Sequence, residues 1–200
     1  MGTDPAPFMA NLFLYFYENK FLQEFKKNNK RDARKFAYVW RFIDDLFAVN
    51  DENKFEENIC NIYPVELELK KENNGYHSAS HLDLNITIVE KKFVLKLYDK
   101  RDDFGFPIVR MPFLSNNMSS TIFYSSFSSE FLRIANCTTE REDFLNSCSV
   151  LTKRMFDQGA ELSRTRKTLI KLYKNHHSSF NQFFDSLPSF LEPLLFGTEN

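Results

Sequence analysis

The sequence predicts an α+β fold, with a mixed α+β piece over residues 1–112 and an all-helical piece over 113–200. Three observations carry this prediction. Apolar residues at helical spacing open the chain, three runs between about residues 65 and 99 alternate with period two, and helical patterns run from beyond Pro112 to the end. The chain is 200 residues long and 42% hydrophobic, enough for one large domain or two small ones with a real core. Aromatic residues make up 16% of it and 23 residues are Phe, so ring packing is expected to hold that core.

The elements follow in order. In APFMANLFLYFYENKFLQEFKKNN the residues Phe8, Met9, Leu12, Phe13, Phe16, Phe21, Leu22 and Phe25 keep near-helical spacing, and Pro5 and Pro7 stand where a helix begins. This predicts a long amphipathic helix whose Phe8–Phe25 stripe is core. YVWRFI and LFAVN are rich in aromatic and branched residues and flank an Asp-Asp pair, which predicts a β-hairpin with Asp44 and Asp45 at its tip. A short acidic helix is expected over about 52–63, ended by Pro64. Three alternating runs then read as strands, VELELK, HLDLNITIV and FVLKLYD, with KENNGYHSAS as the loop between the first two. Helices are predicted over roughly 119–136, 141–158, 162–176 and 180–196, with Thr138, Thr139 and Gly159 as cap and stop signals. The Ser- and Asn-rich SNNMSSTIFYSSFSS is the expected hinge, although its aromatic residues argue for packing.

Net charge is −1, but the charges are segregated. Lys20 to Arg41 holds eight basic residues against Glu24 and Asp32; Asp44 to Glu72 holds nine acidic residues against Lys54, Lys70 and Lys71. Lys153 to Lys174 is basic again, with seven cations against Asp157 and Glu161. Each block read singly is a solvated face; together they read as two phosphate-tracking surfaces around a metal-binding centre. Cys60, Cys137 and Cys148 are odd in number and widely spaced, which fits neither a disulfide framework nor a C-x-x-C metal pair. No apolar run approaches the ~20 residues of a membrane span, and the start lacks the order of a signal peptide. The expectation is an intracellular chain, nuclear or cytoplasmic, without a membrane partner; its oligomeric state is left open.

Adjacent acids at a hairpin tip are ordinarily turn residues, since Asp favours turns and solvent. Here Trp40, Phe42, Ile43, Leu46, Phe47 and Val49 flank the pair, and burial of both strands would leave Asp44 and Asp45 in a sheltered place where carboxylates need a cation. A carboxylate pair on a rigid hairpin between basic surfaces suits Mg²⁺-assisted phosphoryl transfer.

The order of MGTDPAPFMANLFLYFYE, RFIDDLFAV and HLDLNITI resembles the second half of a reverse transcriptase, in particular the Penelope-like and related retroelement enzymes of animals. KLYDKRDDFGFPIVRMPFLS and LTKRMFDQG extend the likeness over nearly the whole chain. The resemblance implies a distal palm and a helical thumb that synthesise DNA on an RNA template, with an RNA template, a DNA primer and deoxynucleoside triphosphates as partners and Mg²⁺ as cofactor. It implies metal binding and catalysis at Asp44, with Asp45 in support, and a leaving-group proton from Lys70 or Lys71, Lys71 being the candidate. Gly2 and Thr3 would approach the nascent base pair and Phe42 would stack. Leu82, Asp83 and Leu84, within Leu82 to Ile86, would position the primer end. Arg164, Arg166, Lys167 and Lys171 would follow phosphates on a thumb helix.

Two features depart from the family. Phe42 stands where Tyr is usual, and the first metal-binding aspartate of such enzymes lies upstream of the Gly-Thr block in which Met1 stands. Asp44 and Asp45 would thus supply only part of a two-ion site. A catalytically inactive nucleic-acid-binding remnant is the runner-up, and an interaction module with a purely structural acidic hairpin is the third reading. Lys70, Lys71, His81, His176 and His177 have solvated surface positions as their plain alternative.

Overall fold

The computed structural model describes residues 5–50, 52–73, 75, 77–106, 108–109 and 113–195. Its elements are mixed α+β, with helices and two small antiparallel sheets, one of two strands and one of three. Contacts gather the chain into two units, Met1–Asn74 and Gly75–Asn200, rather than dividing it near residue 112.

In the first unit, helix α1 spans Ala6–Asn28 and begins behind Pro5, with Pro7 in its first turn, where a missing N–H costs nothing and the fixed φ favours helix. Asn29 ends α1 and caps the single-turn helix α2, Lys30–Ala33, by accepting a hydrogen bond from the Asp32 N–H at 3.2 Å. A short 3₁₀ turn leads into strands β1, Val39–Phe42, and β2, Asp45–Ala48. Helix α3, Lys54–Ile62, stops where Tyr63 is extended (φ −105°, ψ 151°), as the residue before Pro64 must be. Phe21, Phe25 and Phe36 form a ring cluster with centroids 5.2 to 5.5 Å apart. Yet α1 has no buried residue, and Ile62 and Tyr63 are the only buried hydrophobic residues among those described in this unit. The expectation that the Phe8–Phe25 stripe is core is corrected: Phe21, Leu22 and Phe25 are half-buried, while Phe8, Met9, Leu12, Phe13 and Phe16 lie exposed. Between Phe8 and Phe16 the apolar residues wrap around the helix, and only one side has elements to pack on.

The second unit opens with the meander β3 (Ser78–His81), β4 (Leu84–Val89) and β5 (Lys92–Leu97). Two sequence readings are corrected here. HLDLNITIV is not one strand, because Leu82 and Asp83 form a two-residue turn, and His81 together with Ser78–Ser80, expected in a loop, pairs with β4. VELELK is no strand, with Val65 94% exposed; alternation alone does not make a strand without a neighbour to bond. Helices α4 (Ser120–Cys137), α5 (Arg141–Asp157), α6 (Leu162–Asn175), α7 (His177–Phe180) and α8 (Leu187–Leu195) follow. The proposed hinge is largely α4, capped by Ser119 and burying Phe123, Tyr124 and Phe127. Gly159 follows α5 at φ +93°, a conformation that side chains rarely take.

The core lies in this unit and is phenylalanine-rich as expected, with Phe127, Phe131, Phe144, Phe180 and Phe190 fully buried. The meander is tied to these helices. Thr139 N–H donates to the Leu95 carbonyl and Leu95 N–H to Thr139 Oγ1, both at 3.0 Å, and Lys96 pairs with Asp143 at 3.0 Å. These bonds place the strands with the helices rather than with the hairpin.

Asp99 anchors the turn after β5. It accepts from the Arg101 backbone N–H at 3.1 Å and from Arg101 Nε at 2.7 Å, with Arg154 at 3.5 Å. The Arg101 hydrogen bond, more than any other cause, holds its carboxyl down to about 2. A depressed carboxylate stabilises the fold at pH above its unfolded value near ~3.9, and that contribution is lost as pH falls toward the folded value. Asp99→Asn should therefore lower the urea midpoint at pH 7, and the gap from the native chain should narrow below about pH 4 and close as pH falls through about 2. A gap of constant size across that range would contradict the assignment.

Candidate nucleic-acid and metal site

The hairpin pairs Phe42 with Asp45, Arg41 with Leu46, Trp40 with Phe47 and Val39 with Ala48, leaving Ile43 and Asp44 as a two-residue tip; of the two aspartates expected there, Asp45 is instead the first residue of β2. Alternation puts Trp40, Phe42, Asp45 and Phe47 on one face and Val39, Arg41, Leu46 and Ala48 on the other. Both aspartates are exposed, which corrects the sheltered setting expected for them. The reason is that the aromatic face is itself uncovered: Trp40 is 51% and Phe42 55% exposed, so the rings flank the acids without roofing them. Trp40 and Phe47 stack at 6.3 Å. Neither carboxylate has a side-chain partner among the described residues, and there no three His, Cys, Asp or Glu side chains gather as a metal-ion group.

The inward face holds a network that the sequence reading missed. Arg41 donates through Nε and Nη2 to the two Glu18 carboxylate oxygens, at 2.7 and 3.3 Å, and through Nη1 to Asn11 Oδ1 at 2.6 Å and the Ile43 carbonyl at 3.1 Å. Tyr63 OH donates to Glu18 Oε1 at 2.7 Å. Burial, with the Glu18 bond adding to it, raises the Tyr63 phenol above its ordinary range and keeps it a donor. One guanidinium thus ties the tip of the hairpin to α1, and Glu18 ties both to the end of α3. The signal was present in the sequence as a lone cation at an inward position of an apolar strand.

The tip is strained. Ile43 has φ +55°, a region that a β-branched residue rarely enters and that costs about 1–2 kcal/mol. Such strain persists only where the surroundings impose it, and it gathers at functional sites. Ile43→Gly should raise the stability of the first unit by about 1 kcal/mol. Trp40, the only tryptophan, reports that unfolding by fluorescence. A lower midpoint in the Gly variant would show that the tip is not strained.

The other expected residues are distributed as follows. Gly2 and Thr3 lie outside the described residues. Lys71 is not at a strand end; its ammonium pairs with Glu56 on α3 at 2.7 Å. Leu82, Asp83 and Leu84 belong to the second unit. Leu82 is an exposed turn residue at φ +53°, Leu84 starts β4, and Asp83 accepts from Arg133 at 2.8 Å.

On α6, Arg164, Arg166, Lys167 and Lys171 are all exposed, while Thr165, Leu169, Leu172 and Tyr173 face the core. At ~100° per residue, Arg164, Lys167, Lys171 and the further exposed Lys174 line one stripe, and Arg166 stands roughly 100° away from Lys167. No acidic residue interrupts α6, and Arg164 lies over the Tyr124 ring at 4.6 Å. Among the described residues, no helix is long and apolar enough to cross a membrane. No protein-family model matches the chain, and no curated protein and no solved structure matches it.

Proposed function

We propose that the chain serves RNA-templated DNA synthesis as the distal palm and thumb of a retroelement reverse transcriptase. The observation that carries the reading is the strained Ile43–Asp44 tip followed at once by Asp45, the first residue of β2, which leaves two consecutive carboxylates exposed and unpaired with any described side chain, near the exposed rings of Trp40 and Phe42. Two carboxylates match the hard-oxygen donors that Mg²⁺ takes, an ion that keeps waters and substrate phosphates as its remaining ligands. Asp44 and Asp45 would hold it, and when bound it would supply charge stabilisation for nucleotidyl transfer. Arg41 fixes the Ile43 carbonyl, and with it the tip that carries Asp44 and leads into Asp45. Trp40 and Phe42 offer faces on which bases stack without sequence preference. The α6 stripe follows phosphates, and the Leu82–Leu84 turn is the candidate for contact with the primer end.

The experiment is binding of a fluorescent RNA–DNA primer–template, with and without deoxynucleoside triphosphate and Mg²⁺. Affinity should fall steeply as salt rises, because counterions are released. Mg²⁺ should strengthen triphosphate binding to the native chain and not to Asp44→Asn. Affinity independent of salt would overturn the reading. A second reading, a nucleic-acid-binding module without catalysis, is favoured by the lack of a third metal-binding side chain beside the pair among the described residues. It predicts the same salt dependence with no response to Mg²⁺ or to Asp44→Asn.

A further inference from the structure

The first half of α1 is apolar on both sides. Ala10, Leu14 and Tyr17 are half-buried against the unit, while Phe8, Met9, Leu12, Phe13, Tyr15 and Phe16 form a second, outward face exposed by 49 to 68%. A helix that is apolar all round belongs in an interior, and here one side is open. Aromatic and large aliphatic side chains of this exposure leave roughly 600–700 Å² of surface on the outward face, close to the ~800 Å² that each partner contributes to a stable protein interface. The same unit buries little of its own, so covering this face would add substantially to its stability.

We propose that two copies of the chain pair through this face, with their α1 helices antiparallel and crossing at Leu12. The chemistry of the face favours a second copy over other occupants. No charged residue occurs between Pro5 and Tyr17, so the face has no cation to draw a nucleic acid and no charge to steer a charged partner. Two identical faces meet without like-charge repulsion. A two-fold arrangement needs only that the surface be complementary to itself, and antiparallel crossing at Leu12 sets Phe8 against Phe16 of the other copy and Met9 against Tyr15. The charges of α1 all follow Tyr17, from Glu18 to Lys27, and fall at the two rims of such a pair. The α6 stripe lies in the other unit, and this pairing does not depend on whether the chain binds nucleic acid.

The test is sedimentation equilibrium of the full chain between about 1 and 100 μM, alongside Phe8→Glu/Phe16→Glu. Both positions are exposed, so the variant should keep native circular dichroism and Trp40 fluorescence. The native chain should sediment as a dimer across most of that range, and the variant as a monomer with self-association weakened at least 100-fold. Cysteine cross-linking tests the geometry in a Cys60→Ser background: Leu12→Cys should form a disulfide dimer on oxidation, and Phe8→Cys should not. A native chain monomeric at 100 μM overturns the proposal. So does a dimer that persists in the charged variant, open-ended association in place of a dimer, or a native monomer whose α1 face binds another protein instead.

Discussion

Replacing Arg164, Lys167, Lys171 and Lys174 together with Glu should lower affinity for a primer–template duplex by about 10³-fold at low salt and flatten its salt dependence. The whole chain is slightly acidic, so any attraction for phosphates must come from local segregation of charge, and the α6 stripe is a basic run without an acid in it. Four cations spaced along one line of a helix span about 15 Å, a length that meets several successive phosphates. Each phosphate that is no longer neutralised should take roughly 0.9 off the slope of log affinity against log salt on a duplex. The loss of affinity should be equal for two unrelated sequences, since phosphate contacts position a protein without reading bases. Arg166→Glu alone should do much less, because that side chain leaves the helix on a different flank. Fluorescence anisotropy decides: unchanged affinity in the fourfold variant would make the stripe a solvated helix face, and sequence-dependent loss would point to base contacts instead.

The sequence was most informative where period and punctuation agreed. The bounds of α4, α5 and α6 fall within a residue or two of those read from apolar spacing and from Thr138, Thr139 and Gly159. The hairpin itself follows from the aromatic and branched residues on either side of a turn, but its register does not: the turn is Ile43–Asp44 rather than Asp44–Asp45, so Phe42 faces Asp45. What the sequence did not disclose depended on partners far along the chain. Leu82–Asp83 keeps perfect alternation yet turns, because β3 has already supplied the strand with which β4 pairs. The Phe8–Phe16 residues have core composition, but composition does not state whether anything lies opposite them. Exposure of Asp44 and Asp45 had the same origin: apolar flanks suggest shelter only if the flanks are themselves covered, and Trp40 and Phe42 are not. The Arg41–Glu18–Tyr63 network joins residues 23 and 45 positions apart, a separation that no local pattern encodes.

Phe144→Ala should destabilise the second unit by about 3–5 kcal/mol, the range for removing a fully buried aromatic ring from a core that relaxes incompletely. Phe144 on α5 is completely buried and touches three other rings that follow it in the chain. It stacks on Phe183 at 4.5 Å with planes 16° apart and meets Phe184 and Phe180 edge-on at 5.7 and 6.2 Å. The ring therefore joins α5 to the turn between α7 and α8, and its removal costs geometric ring–ring attraction as well as transfer free energy and a cavity. Against a typical domain stability of ~5–15 kcal/mol this is a large fraction of the whole. The comparison that gives the prediction its force is Phe13→Ala, a chemically identical change at an exposed position, which in the monomer should move stability by less than about 1 kcal/mol. Urea unfolding followed by circular dichroism reads the helical unit, and Trp40 fluorescence reads the other. A large drop in the first signal with the second unchanged is the expected result for Phe144→Ala. Equal costs for Phe144→Ala and Phe13→Ala would mean that the phenylalanine core is not where the packing of α4 to α8 puts it.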